Sequence, residues 1–132
     1  IDTLFRVTAK LVRPIVQTKI PIVNVLGQTT MQVSPGKLYF TLNQQTYMLD
    51  ALLEDDKLFI IFGDATSGQT TYPAGRFLYA KMPGEDGMTI VDFNKAFNPP
   101  CAFTPYATCP LPPRQNILTI AVLAGEKKAG NH

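Results

Sequence analysis

Short runs of β-branched and aromatic residues, cut by turn residues at intervals of about eight to twelve positions, dominate this chain. No stretch keeps a 3.6-residue apolar period long enough for an amphipathic helix. The fold class that follows is all-β: a small antiparallel barrel or sandwich of about eight strands. Phe5, Val7, Ala9 and Leu11 alternate with Arg6, Thr8 and Lys10, as a half-buried strand requires, and Pro14 ends it. Ile15 to Leu26 reads as a second strand, with Pro21 marking an edge or a bulge, and Gly27-Gln28 turns into Thr29–Val33. Ser34-Pro35-Gly36 reads as a turn. Leu38–Leu42 and Thr46–Leu53 around Asn43-Gln44-Gln45 form the clearest hairpin. Lys57–Phe62 is apolar on both faces, which suits a central strand. Arg76–Lys81 and Met88–Phe93 flank Pro83-Gly84-Glu85-Asp86-Gly87 as a second hairpin, and Ile117–Leu123 reads as a last strand. Helix is confined to a turn or two near Asn94–Phe97 or Ala102–Thr108.

The 132 residues suit one domain, 1–132, and 45% apolar residues supply a real core. A net charge of +2 with scattered lysines and arginines gives no nucleic-acid surface. No apolar run approaches the ~20 residues of a transmembrane helix. The chain opens directly into a strand-like pattern at Ile1, which leads us to expect further sequence upstream.

Between Asp92 and Pro113 lie both cysteines and six of the eleven prolines. Proline fixes φ and lacks the donor N–H, so this segment reads as an irregular strap or as the wall of a site. Cys101 and Cys109 suit a disulfide worth about 2.5 kcal/mol for so short a loop, the alternative being two buried thiols. The single histidine, His132, leaves no ligand set for a metal and no partner for a Ser-His-Asp triad. No cofactor is expected.

Three further segments carry candidate chemistry. The small, hydroxyl-rich stretch from Gly63 to Tyr72 can cradle an anion, with Asp64 orienting a donor, or can be a polar turn bonded to its own backbone. Arg76 can hold a carboxylate or phosphate, or can form an ion pair with Asp64 or Asp92. Asp92 and Asn94 flank Phe93, so alternation sets both polar groups opposite the ring, as a ligand clamp or a hydrogen-bonded corner.

The run GDATSGQTTYPAGRFLYA, then DFNKAFNPPCAFTPYATCPLPP, Asn116 and AGEK at 124–127, resembles the bacterial family catalogued as domain of unknown function 1684. FRVTAK near the start and SPGKLYF with LNQQTYMLDA extend the resemblance over nearly the whole chain. Matching signature residues are Asp64, Thr66, Gly68, Thr71, Tyr72, Gly75, Arg76, Asp92, Asn94, Asn98, Cys101, Cys109, Asn116 and Glu126; Pro73 departs from the pattern. The resemblance implies the C-terminal portion of a longer protein and an envelope or extracellular location, periplasmic or lipid-anchored, which agrees with a disulfide. It implies no particular reaction.

The leading expectation is a binding module. Asp64, Thr66, Ser67, Thr71, Tyr72, Arg76, Asp92, Asn94 and Asn98 would line a pocket for a small anionic or sugar-like ligand. A hydrolase using Asp64 with Asp92 or Glu126 as a carboxylate pair is the competing expectation. An envelope scaffold whose polar signature is buried and mutually satisfied is the third. An exposed edge strand would also offer a route to a homodimer.

Overall fold

The computed structural model describes residues 3–64, 75–98 and 110–126. Among these residues eight antiparallel strands run in chain order: β1 (Arg6–Val12), β2 (Thr18–Val23), β3 (Thr29–Ser34), β4 (Gly36–Leu42), β5 (Gln45–Glu54), β6 (Lys57–Phe62), β7 (Arg76–Lys81) and β8 (Met88–Asp92). Six of them form a sheet in the order β7-β6-β5-β4-β1-β8, and β2 pairs with β3 as a separate ribbon. The sheet curls until its two outer strands meet, where Thr89 Oγ1 donates to the Lys81 carbonyl at 2.8 Å. The result is a nearly closed barrel, as the strand pattern predicts. No helix among the described residues is long and apolar enough to cross a membrane.

Alternation decides which residues fill the barrel. Ala9 and Leu11 of β1, Leu38, Phe40 and Leu42 of β4, and Leu49 and Ala51 of β5 point inward and are buried. Strand β6 is buried on both faces. Leu58, Ile60 and Phe62 enter the barrel, whereas Phe59 and Ile61 join Ile22, Leu52 and Phe77 in a second cluster beneath the β2–β3 ribbon. Covering that outer face removes one more layer of apolar surface from water, at roughly 25 cal/mol per Å². The β4–β5 hairpin turns through Asn43 and Gln44, both with positive φ (51° and 68°), the pairing of left-handed residues that a tight two-residue turn needs.

Several boundaries differ from the sequence reading. The second strand is shorter, Thr18–Val23, because Ile15 and Val16 stand exposed without a ladder. Pro35 interrupts β3 and β4 without a tight turn between them. Among the described residues helical geometry is limited to 3-10 turns at Thr3–Phe5, Phe93–Lys95 and Arg114–Asn116. The expected last strand, Ile117–Leu123, is irregular chain with bends at Thr119 and Ile120. Among the described residues its bridge joins Ile117 in parallel to Gly63, and at Val122 its backbone bonds the side chains of Asp64 and Arg76.

That C-terminal segment wedges into the sheet. The β5–β6 pairing runs from Glu54↔Lys57 to Leu52↔Phe59 and goes no further. Beyond it the strands splay, and Asn116 fills the gap. The Gly63 N–H donates to the Asn116 carbonyl at 3.1 Å, and the Leu118 N–H donates to the Gly63 carbonyl at 2.8 Å. The proline-rich strap is described only at its ends, where the Leu111 N–H donates to the Val23 carbonyl at 2.7 Å. Cys101, Cys109 and the disulfide expected between them lie outside the described residues, as does the helical turn expected at Ala102–Thr108.

Candidate functional site

Arg76 opens β7 with its side chain 1% exposed. Desolvation pulls its pKa below the usual arginine value, against the attraction of Asp64 and Glu126. The charge is held by a closed shell of acceptors. Nη2 donates to Asp64 Oδ2 at 3.2 Å and to the Val122 carbonyl at 3.0 Å. Nη1 donates to the carbonyls of Ala124 at 2.6 Å and Glu126 at 3.2 Å. The guanidinium also lies 5.3 Å from the Phe62 ring centre. The three carbonyls come from alternate residues, 122, 124 and 126, with Gly125 at φ +85° turning the chain between the last two so that all three reach one fork. Asp64 accepts the Val122 N–H as well, at 2.9 Å. The Asp64–Arg76 pairing foreseen as the alternative to a ligand contact is therefore present, and the pair pins the C-terminal segment onto the barrel.

Asp92 and Asn94 form a different unit. Asp92 Oδ1 accepts the Asn94 N–H at 3.1 Å and Asn94 Nδ2 at 3.0 Å, capping the 3-10 turn. Phe93 between them is fully buried against Phe40 and Phe62, so the two polar groups do lie opposite the ring. Asn98 is buried, and its backbone N–H donates to Glu126 Oε1 at 2.6 Å. Thr66, Ser67, Thr71 and Tyr72 lie outside the described residues.

Of these candidates Asp92 alone, among the described residues, lines one of the main cavities. That cavity, about 450 Å³, lies along the seam where β7 and β8 approach without pairing. Arg6, Lys81 and Lys95 bring three cations to it against the single carboxylate of Asp92. Arg6 sits opposite Asp92 in the β1–β8 register, yet the closest approach, Nε to Oδ2, is 3.9 Å and the Arg6 side chain is 58% exposed. So loose an exposed pair leaves the guanidinium available. Tyr79 and Thr89 also line it, their hydroxyls already donating to Glu54 Oε1 and to the Lys81 carbonyl. The cleft went unrecognised in the sequence because its cations come from three separate segments, and no local motif joins them. Among the described residues no group of three or more His, Cys, Asp or Glu side chains is placed to hold a metal ion.

The family described as "Protein of unknown function (DUF1684)" matches residues 1–127. The chain is similar to the solution structure of an uncharacterized protein from gene locus rrnAC0354 of Haloarcula marismortui, with a TM-score of 0.80 and 29% identity, covering 99% of this chain and 75% of that one. No curated protein matches it.

Proposed function

This chain belongs to the DUF1684 family, and on that premise we propose that it is a β-barrel binding module taking a small anionic ligand, phosphate-like or an acidic sugar, in the seam cleft between β7 and β8. The observation that carries this reading is the excess of positive charge there: Arg6, Lys81 and Lys95 against Asp92. A concave site lined by one sign of charge concentrates ions of the other sign. Asp64 and Arg76 contribute to the binding function indirectly, by holding the barrel's seam-side strand and the C-terminal segment in place.

Hydrolysis by a carboxylate pair finds less support. Asp64 accepts the Val122 N–H, Asp92 the Asn94 N–H and Glu126 the Asn98 N–H, so each candidate carboxylate is committed to the backbone. An envelope or extracellular setting belongs to the same proposal and rests on the family resemblance; thiol titration of the unreduced protein, finding Cys101 and Cys109 oxidised, would support it. Association of two copies through an exposed edge would involve the β2–β3 ribbon, which concentration-dependent sedimentation tests.

The ligand proposal is tested by following backbone amide resonances while phosphate or glucuronate is added. Saturable shifts confined to residue 6, residues 79–84 and residues 88–95, abolished in the Arg6→Gln/Lys81→Gln/Lys95→Gln variant, are expected. Shifts that neither saturate nor depend on these three side chains overturn it.

A further inference from the structure

A second cavity, of about 180 Å³, opens between the β2–β3 ribbon and the barrel. Its walls are Val12, Pro14 and Ile20, with the buried Asp50 and the half-exposed Lys37 on its lining and Arg13 as a second cation. We propose that it binds a small monocarboxylate carrying a compact apolar body, an aromatic or branched-chain acid. The site is distinct from the seam cleft and does not rest on the reading of that cleft.

Size comes first. An apolar cavity of ~150 Å³ accommodates benzene, so this one takes a six-carbon ring with little room to spare. Charge then selects the head group. Asp50 is 3% exposed at its side chain, and both of its oxygens already accept hydrogen bonds: Oδ1 from Lys37 Nζ at 2.8 Å and Oδ2 from Gln115 Nε2 at 2.7 Å. Its backbone is locked as well, since Asn116 Oδ1 accepts the Asp50 N–H at 2.7 Å and Asn116 Nδ2 donates to the Asp50 carbonyl at 2.9 Å. Asp50 is thus a fixed, neutralised anchor that orients Lys37. The lysine carries three N–H donors and spends one on Asp50. The one acid on the lining, Asp50, is already paired with Lys37, so Arg13 leaves the site with a net positive charge. A ligand ammonium would have to displace Lys37 and face Arg13, whereas a carboxylate meets both cations.

The test is amide-resonance titration of the whole chain with benzoate, benzylamine and benzyl alcohol. Benzoate should shift residues 12–14, 18–20, 34–37 and 50 saturably, with the other two probes binding more weakly. Arg13→Gln changes an exposed side chain and should weaken benzoate about fivefold. Thr18→Phe, at the exposed start of β2, should fill the cavity and abolish binding while the remaining spectrum stays native. The Arg6→Gln/Lys81→Gln/Lys95→Gln variant should bind benzoate as the unaltered chain does. Benzylamine binding as tightly as benzoate overturns the head-group assignment. Benzoate binding that survives Thr18→Phe, or no saturable binding, overturns the site.

Discussion

Asn116 completes the hydrogen bonding of Asp50, a residue 66 positions away, by taking its backbone N–H on Oδ1 and giving Nδ2 to its carbonyl. The same Nδ2 also donates to the Ile61 carbonyl at 2.9 Å. Extending the β5–β6 register by two residues would set Asp50 opposite Ile61, so one side-chain amide replaces the ladder bonds that the splayed strands no longer make. Unpaired backbone groups at such a buried place are costly.

Replacing Asn116 by Ala should therefore lower stability by at least about 3 kcal/mol, because three buried backbone groups lose their partner. Asn116→Asp is nearly isosteric and should be about as harmful, since a carboxylate has no donor for the two carbonyls. Chemical denaturation midpoints of both variants check this. Near-native stability of Asn116→Asp would show that the amide's donor is unimportant.

Arg76→Ala should destabilise by about 3–5 kcal/mol, the cost of stranding a buried charge. That is a large part of the ~5–15 kcal/mol of a typical domain. Arg76→Lys should rescue little, because an ammonium cannot span Asp64 and three carbonyls as the planar fork does. Adding Asp64→Asn to Arg76→Ala should recover part of the loss by removing the stranded carboxylate. Denaturant melts of the three variants make the comparison. Stable, native Arg76→Ala protein would instead point to a functional role for the guanidinium.

Much of this architecture could be read from local pattern. Leu58–Phe62 announces a strand covered on both sides, and the structure supplies both covers, the barrel interior and the β2–β3 ribbon. Ile117–Leu123 misled for an instructive reason. Leu118, Val122 and Ala124 are buried and Leu123 is exposed, so its faces do alternate. Periodicity reports which side is apolar, and it does not report whether the backbone bonds a strand or the side chains of Asp64 and Arg76. Asp50 was invisible because an acid within MLDALLE reads as solvent-facing; its burial is decided by Gln115 and Asn116, remote in sequence. The Asp64–Arg76 pair was legible as residue types. The three carbonyls that complete its shell were not, because a carbonyl carries no sequence signature.

Gly125 is a further point where the C-terminal segment has no slack. Its φ is +85°, and a Cβ would stand 2.7 Å from the Phe93 carbonyl oxygen, 2.9 Å from Ala96 Cβ and 3.0 Å from Arg76 Nη1. Gly125→Ala should cost more than about 1 kcal/mol, combining backbone strain with a clash that pushes on the buried guanidinium. The exposed Gly84, which has open space around it, should accept Ala with little change. Thermal melts of the pair give the contrast, and equal melting points would remove the requirement for glycine at position 125.

Tyr79 makes the alkaline limb of stability predictable in sign. Burial, then the hydrogen bond from its hydroxyl to Glu54 Oε1 at 3.0 Å, raises its pKa above the usual tyrosine value. The folded state therefore favours the neutral phenol over the phenolate. The resulting contribution is fully present below the unfolded value of about 10 and is lost as pH rises through the higher folded value. Tyr79→Phe should remove this component of the pH dependence, and Glu54→Gln should bring the ionisation back toward the ordinary range. Absorbance titration of the phenolates, with melts repeated across the same pH range, reads both effects. If Tyr79→Phe leaves the alkaline decline unchanged, the decline belongs to another group, and the Tyr79–Glu54 contact does not couple to folding.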